Sequence, residues 1–169
     1  MKRRLLSAFL AVMMVLTMAP VAFAADEGDT LQSKINNASD TVTLTQNYAE
    51  DITIPAGKNI TLDLNGKTLT NKTGHTITVE QGATLTIEGN GTVDNITHGK
   101  AALVNYGTAM LNNGVTLKRS SEKGTLAPYN NGGNSYYTIL NDKGATMTIN
   151  NATVENSGGY SSAIRNGGD

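Results

Sequence analysis

The side chains best suited to binding chemistry are tyrosines that fall in or near a stretch rich in Gly, Asn and Ser, residues 121–136. They are Tyr106, Tyr129, Tyr136, Tyr137 and Tyr160. Aromatic rings beside polar amides can stack on a sugar ring, which predicts a glycan-contacting loop. Rings that only pin the loop against its own protein would give the same pattern, so both interpretations stay open.

Residues that could perform catalysis are scattered along the chain. The candidate acids are Asp63, Glu80, Glu88, Asp94, Asp142 and Glu155. Their spacing predicts neither the paired carboxylates of a glycosidase nor the converging oxygens of a calcium site. His75 and His98 are interpreted as turn residues, and the chain has no Cys. We therefore expect no cofactor and no metal, and the sequence favours a non-catalytic protein while leaving the question of an enzyme open.

The charge and the first segment bear on partners and location. The 169 residues hold 13 basic and 14 acidic side chains, a balance that argues against nucleic acid as a partner. Basic residues at 2–4, an apolar run at 5–18 and an A-x-A site at 22–24 are typical of a secretory signal peptide. We predict a signal peptide at residues 1–24, no membrane span in the mature chain, and a secreted or cell-surface protein.

The remainder of the chain repeats with a period of about 24. Three apolar markers recur at this step, and each is interrupted by about 13 extra residues in the fourth unit. The markers are Leu64, Ile87, Leu111 and Ile149; then Leu69, Val93, Leu117 and Val154; then Val79, Leu103, Ile139 and Ile164. Each set is expected to form one vertical column, and the extra residues are expected to leave the stack as a loop.

Each unit contains three short runs in which apolar and polar residues alternate, separated by Gly- and Asn-rich corners. Alternation with a period of two predicts strands buried on one face. The fold class predicted is therefore all-β, a right-handed single-stranded parallel β-helix of about five rungs, where a rung is one turn of the coil. Residues 41–169 should form the coil. A short helix with Asp29 or Thr30 as its N-cap should cap it within residues 25–40.

Polar side chains also recur at the repeat spacing. Two structural ladders are predicted: Asn65, Asn112 and Asn150, and then Gln81, Asn105, Asn141 and Asn166. Stacked amides can hydrogen-bond along a solenoid and so fix its register. A charged ladder of Asp94, Lys118 and Glu155 is expected on the outer face.

The pattern of residues 162–168 restarts a third strand and then stops. We expect the coil to be truncated at its C-terminus and to associate edge to edge with another copy, because an open rung leaves strand edges unpaired.

The start of the coil resembles a known group of proteins. Residues 51–69, DITIPAGKNITLDLNGKTL, together with LQ at 31–32 and VTL at 42–44, resemble bacterial secreted and surface proteins with pectate-lyase-like β-helix repeats. The resemblance implies a secreted or surface location and contact with polysaccharide or host glycan. Three functions follow as hypotheses: a non-catalytic, adhesin-like stalk or glycan-contacting surface; the N-terminal part of a polysaccharide lyase or glycoside hydrolase; and a carbohydrate-binding module that uses the Tyr-rich loop.

Overall fold

The computed structural model describes residues 30–120, 136–156 and 162–167. These ranges contain one helix, α1 (Leu31–Asn37), and strands that fall into three sheets. Sheet A holds β1 (Thr41–Thr43), β4 (Asn59–Asp63), β7 (Thr84–Glu88), β10 (Thr108–Leu111) and β13 (Thr146–Ile149). Sheet B holds β2 (Tyr48–Ala49), β5 (Thr68–Thr70), β8 (Gly91–Asn95), β11 (Val115–Arg119) and β14 (Thr153–Asn156). Sheet C holds β3 (Ile52–Ile54), β6 (Ile77–Val79), β9 (Leu103–Asn105), β12 (Ile139–Asn141) and β15 (Ile164–Asn166).

The order of strands is that of a coil. Each strand pairs in parallel with the strand three places later in the chain, so every rung contributes one strand to each sheet. Adjacent strands lie about 4.8 Å apart, which is the height of one rung. The predicted parallel β-helix of about five rungs is confirmed. We name the three bends of each rung corners AB, BC and CA, after the sheets that they join.

Aliphatic side chains from alternate positions fill the inside of the coil. The second marker forms the predicted column, because Val93 pairs with both Leu69 and Leu117, and Leu117 pairs with Val154. The first three of these side chains are fully buried. Full burial of a Leu or Val side chain contributes about 1.5–3 kcal/mol, so stacked aliphatic columns are the main source of stability here.

In two of the predicted columns, the residue named as the first member lies two positions after the one that stacks there. Ile87 stacks on Leu62 rather than Leu64, and Leu103 stacks on Ile77 rather than Val79. The predicted members were wrong, although both Leu64 and Val79 point into the core and are fully buried. The physical reason is that residues two apart share one face of a strand, so the alternation alone does not identify the stacked residue.

The extra residues of the fourth unit fall at corner BC, between β11 and β12. Strand β11 ends at Arg119 and β12 begins at Ile139, and both strands pair in register with the rungs before and after them. The insertion therefore interrupts one corner and leaves the stacking of sheets A, B and C intact. Its residues 121–135, and with them the predicted Tyr129, lie outside the described residues.

Helix α1 closes the first end of the coil, as predicted. The Thr30 side chain accepts the Ser33 N–H as N-cap, and Leu31 and Ile35 are fully buried against the first rung. A hydroxyl N-cap satisfies one of the free N–H groups that every helix start exposes. This helix spans seven residues, and within the described ranges no helix is both long and apolar enough to cross a bilayer.

The polar contacts of α1 replace a missing strand. The Gln32 side chain donates to the Thr53 carbonyl (2.9 Å) and accepts the Thr53 N–H (2.6 Å), so it pairs with both main-chain groups of one β3 residue. Glu50 accepts the N–H groups of Leu31 and Gln32, and Lys58 donates to the carbonyl of Ala38 (2.8 Å). A strand edge left open would invite pairing with another chain, and these contacts cover that edge.

Candidate functional site

A groove of about 320 Å³ lies at corner CA. It is lined by Glu80, Gln81, Tyr106, Asp142, Lys143 and Gly144. Glu80, Tyr106 and Asp142 come directly after β6, β9 and β12, which pair in register, and they therefore form one column on successive rungs. An exposed ring thus lies between two carboxylates, with an amide and an ammonium group beside it.

The Tyr106 ring is exposed because the corner turns sharply after it. Asn105 accepts the Gly107 N–H through its side-chain oxygen (3.1 Å), which closes a tight turn around Tyr106. A Cβ atom on Gly107 would lie 2.4 Å from the Ala83 carbonyl oxygen, so the backbone passes very close to the preceding rung at this point. The ring, with 44% of its surface exposed, is held outside the coil.

An amide ladder, buried at Asn105 and Asn141, lies beside this groove. Asn105 donates to the Asn141 side-chain oxygen (2.7 Å), and Asn141 donates to that of Asn166 (2.8 Å). Asn105 also donates to the Thr146 carbonyl (2.9 Å), and Asn141 to the Ala145 carbonyl (3.2 Å). Buried amides that are satisfied in this way fix the corner in a single conformation, which keeps the groove preformed.

Gln81 does not belong to this ladder, contrary to the prediction. Val79 takes the position opposite Asn105, and Gln81 lines the groove on the outside instead. This error has the same origin as the wrong first member of the third column: the prediction matched Val79, rather than Ile77, with Leu103.

The other predicted ladder is present only in its later rungs. The Asn150 side-chain amide lies 3.4 Å from the Asn112 side-chain oxygen, and the two residues follow strands that pair in register. Asn65 is not part of it, since Glu88 pairs with Asp63. Asn65 instead takes a left-handed turn (φ 48°) and donates to the Leu44 carbonyl (3.1 Å).

A second polar and aromatic surface lies at corner BC, the opposite end of sheet C. The ring centroids of His75 and Tyr136 are 5.7 Å apart, and those of Tyr136 and Tyr137 are 5.9 Å apart. These distances are within the range of favourable aromatic pairs. The structure therefore joins Tyr136 and Tyr137 to a histidine that the sequence had assigned to a turn.

The predicted cluster of five tyrosines is divided by the fold. Tyr106 follows β9, whereas Tyr136 and Tyr137 precede β12, so they lie at opposite ends of the strands of sheet C, about 10 Å apart along the strand direction. Tyr129 and Tyr160 lie outside the described residues. In a parallel sheet, residues flanking two adjacent strands are close only when each precedes its strand or each follows its strand. Closeness in the sequence does not reveal this.

A column of inward polar residues positions the corner BC surface, and the sequence analysis did not detect it. Its members are Asn71, Asn95, Arg119 and Asn156, spaced by the repeat. The first three are almost completely buried. Arg119 Nη1 and Asn156 Nδ2 both donate to the Tyr136 carbonyl, the latter at 3.0 Å. The spacing alone, 24 residues between Asn71 and Asn95 and again to Arg119, could have revealed it.

Asp94 holds the point at which the insertion leaves the coil. Its carboxylate accepts the Ser120 N–H (3.0 Å) and the Ser120 hydroxyl (2.7 Å), and Lys118 Nζ lies 3.7 Å away. Lys118 pairs in register with Asp94 and with Glu155, as the predicted charged ladder requires. Both ends of the insertion are therefore bound to the coil, one by Asp94 and the other by Arg119.

The electrostatics of corner BC keep His75 neutral and Asp51 charged. His75 Nδ1 accepts the Ala101 N–H (2.9 Å), which only the neutral ring can do. Burial lowers the pKa of His75, and nearby Lys100 lowers it further, against a weaker opposing effect of Asp51. Burial alone would raise the pKa of Asp51, but N–H groups of residues 72–74 donate to its carboxylate and hold the pKa below its usual value.

These two surfaces differ in how far their carboxylates are already engaged by the protein. In the ranges that the structure describes, no three His, Cys, Asp or Glu side chains approach one another as a metal site would require. Glu80 Oε2 is occupied by the Ala56 N–H (3.0 Å), and Asp94 by Ser120. What the arrangement offers a ligand is ring faces, amides and charges of both signs on a rigid wall.

No protein-family model, no curated protein and no solved structure matches this chain.

Proposed function

We propose that this chain is a non-catalytic, secreted or cell-surface β-helix, an adhesin-like segment that contacts polysaccharide or host glycan through the corner CA groove. The single observation that carries the proposal is the exposed Tyr106 ring between Glu80 and Asp142, in a groove of about 320 Å³ that an amide ladder holds in shape. A sugar ring has an apolar face and a rim of hydroxyls. Tyr106 matches the face, and the carboxylates, Gln81 and Lys143 match the hydroxyls.

The secreted location rests on the signal-peptide pattern of residues 1–24, and the relation to bacterial proteins with pectate-lyase-like repeats rests on the resemblance of residues 51–69. A parallel coil of three sheets supports that relation at the level of architecture alone.

The test is binding to arrayed glycans and polysaccharides, followed by titration calorimetry on the best ligand. We expect Tyr106→Ala to weaken binding about tenfold, the loss of roughly 1.4 kcal/mol of ring stacking and contact area. The matched control is Ile96→Ala, which truncates an apolar residue of similar exposure (50%, against 44% for Tyr106) outside the groove. Equal binding by wild type and the Tyr106 variant would refute the groove as the glycan-binding site. Release of cleaved sugar from a bound polysaccharide would refute the non-catalytic assignment.

A further inference from the structure

The corner CA groove exists because one of its three rungs turns in fewer residues than the others. After β6 and after β12 the corner contains residues 80–83 and 142–145, whereas after β9 it contains only Tyr106 and Gly107. Each long corner is a turn closed by a main-chain hydrogen bond of 3.0 Å from its last residue to its first. A short corner thus lies between two that project further from the coil.

The register shows which residues of the long corners have no counterpart in the short one. Tyr106 lies in the same column as Glu80 and Asp142. Gly107 lies level with the last residue of each long corner, because β10 pairs in register with both β7 and β13. The middle residues of the long corners therefore project alone, and we name them the two tips. They are Gln81 and Gly82 in one corner and Lys143 and Gly144 in the other.

The space between the two tips is one ligand layer wide. The tips lie two rungs apart, which is roughly 9.6 Å at about 4.8 Å per rung. Atoms in contact are about 3.5–4.0 Å apart, so the main chains of the tips leave room for a single layer of ligand atoms beside the Tyr106 ring. One sugar ring has this thickness, whereas a helix, about 10 Å across, does not enter.

The ionic groups of the groove lie at different depths. Glu80 and Asp142 stand on either side of Tyr106 at the base of the two corners, whereas Lys143 lies at a tip and is exposed. The Ala56 N–H donates to Glu80 Oε2 (3.0 Å) and so helps to hold that carboxylate in place. A ligand seated on the ring therefore meets two carboxylates, and the one ammonium group of the groove lies at its rim.

From this arrangement we propose that the groove selects sugars that carry a protonated amine, such as the glucosamine units of a de-N-acetylated polysaccharide, over uronic acids. The inference rests on the proposed glycan-binding function and names its ligand class. A cation over a tyrosine ring is attracted by the negative face of the ring, and two carboxylates beside the ring complement the same charge. A uronic acid would bring a third carboxylate to this place, and an acetylated amine carries no charge.

Three oligosaccharides of equal length test the selectivity by titration calorimetry: a glucosamine tetramer, its N-acetylated counterpart and a galacturonate tetramer. At about pH 6, where an amine of this kind is protonated, the glucosamine tetramer should have a Kd at least about tenfold below those of the other two. This advantage should shrink between about 0.05 and 0.5 M NaCl, because salt screens exposed charges. Tetralysine, which has the amines without the sugar rings, should bind at least about tenfold more weakly than the glucosamine tetramer.

Variants test whether the charges of the groove make the selection. Asp142→Asn should weaken binding of the glucosamine tetramer about tenfold and leave the N-acetylated tetramer unchanged. Lys143→Gln should tighten binding of the glucosamine tetramer about threefold, a gain that a folding defect cannot produce. The matched control is Glu155→Gln, which removes an exposed carboxylate from β14, outside the groove, and should change neither affinity.

The outcomes separate this inference from the function on which it rests. If the N-acetylated or the galacturonate tetramer binds as tightly as the glucosamine tetramer, the selectivity is refuted and the glycan-binding function stands. Equal losses for charged and acetylated tetramers in Asp142→Asn, or equal binding of tetralysine, would also overturn the inference. If no oligosaccharide or arrayed polysaccharide binds, the proposed function fails and this inference fails with it.

Discussion

Replacing Gln32 by Leu tests whether a single side chain caps the first edge of sheet C. The variant keeps a side chain of similar size and high helix propensity but loses both hydrogen bonds to Thr53, at 2.9 and 2.6 Å. Each bond in a partly buried position contributes about 1 kcal/mol, so we expect a loss of about 2 kcal/mol in the free energy of unfolding. For a chain of this length that lowers Tm by about 4–8 °C.

Urea unfolding measures the loss, and hydrogen exchange locates it, since the Thr53 amide should lose its protection in the variant. Ser33→Ala is the matched control on the same helix, because the Ser33 hydroxyl makes only a long, exposed contact with Asn37 (3.4 Å). If Gln32→Leu unfolds at the same urea concentration as Ser33→Ala, or if Thr53 stays protected, the side chain does not serve as a strand substitute.

Two further predictions concern corners BC and CA. Because the folded pKa of His75 lies below its ordinary value of 6.5, its contribution to stability is fully present above pH 6.5 and is lost as the pH falls through the folded pKa. His75→Asn, whose side-chain oxygen can still accept the Ala101 N–H, should therefore flatten the urea-measured stability between pH 7.5 and 5.5, and an unchanged slope would contradict this. Gly107→Ala should lower the free energy of unfolding by more than about 3 kcal/mol, because its Cβ would lie 2.4 Å from the Ala83 carbonyl oxygen. Gly82→Ala, at a φ of 79° but in open space, should lower it by about 1 kcal/mol. Similar urea midpoints for the two variants would argue against a close approach of the rungs at Gly107.

The sequence predicts the coil well because its regularity is physical. One rung needs three strands and three corners, and the column of Leu69, Val93, Leu117 and Val154 follows directly from that period. The wrong assignment of Leu64 and Val79 to their columns shows what the repeat period alone does not determine. Alternation fixes which face a residue takes, whereas its height in the stack depends on how many residues the preceding corner contains.

Of the candidate surfaces, the sequence identified the tyrosines as binding residues but not the neighbours with which each is grouped. Tyr106 was placed with Tyr136, although one follows its strand and the other precedes it. The groove depends on Glu80 and Asp142, which the sequence presented only as isolated acids, because residues about 26 and 36 positions from Tyr106 become neighbours only when the rungs stack. Stacking is a long-range property, and the uneven spacing around the insertion hides it from inspection.

The interior column of corner BC links the regular coil to its irregular insertion. Asn95 satisfies a short corner by donating to the carbonyls of Gly74 and Ala101. On the next rung, where the chain leaves the stack, the same column position is Arg119, and its longer side chain binds the carbonyl of Tyr136 on the returning strand. Asn156 donates to that same carbonyl from the next rung, so residues of the interior column hold Tyr136, the residue that follows the insertion.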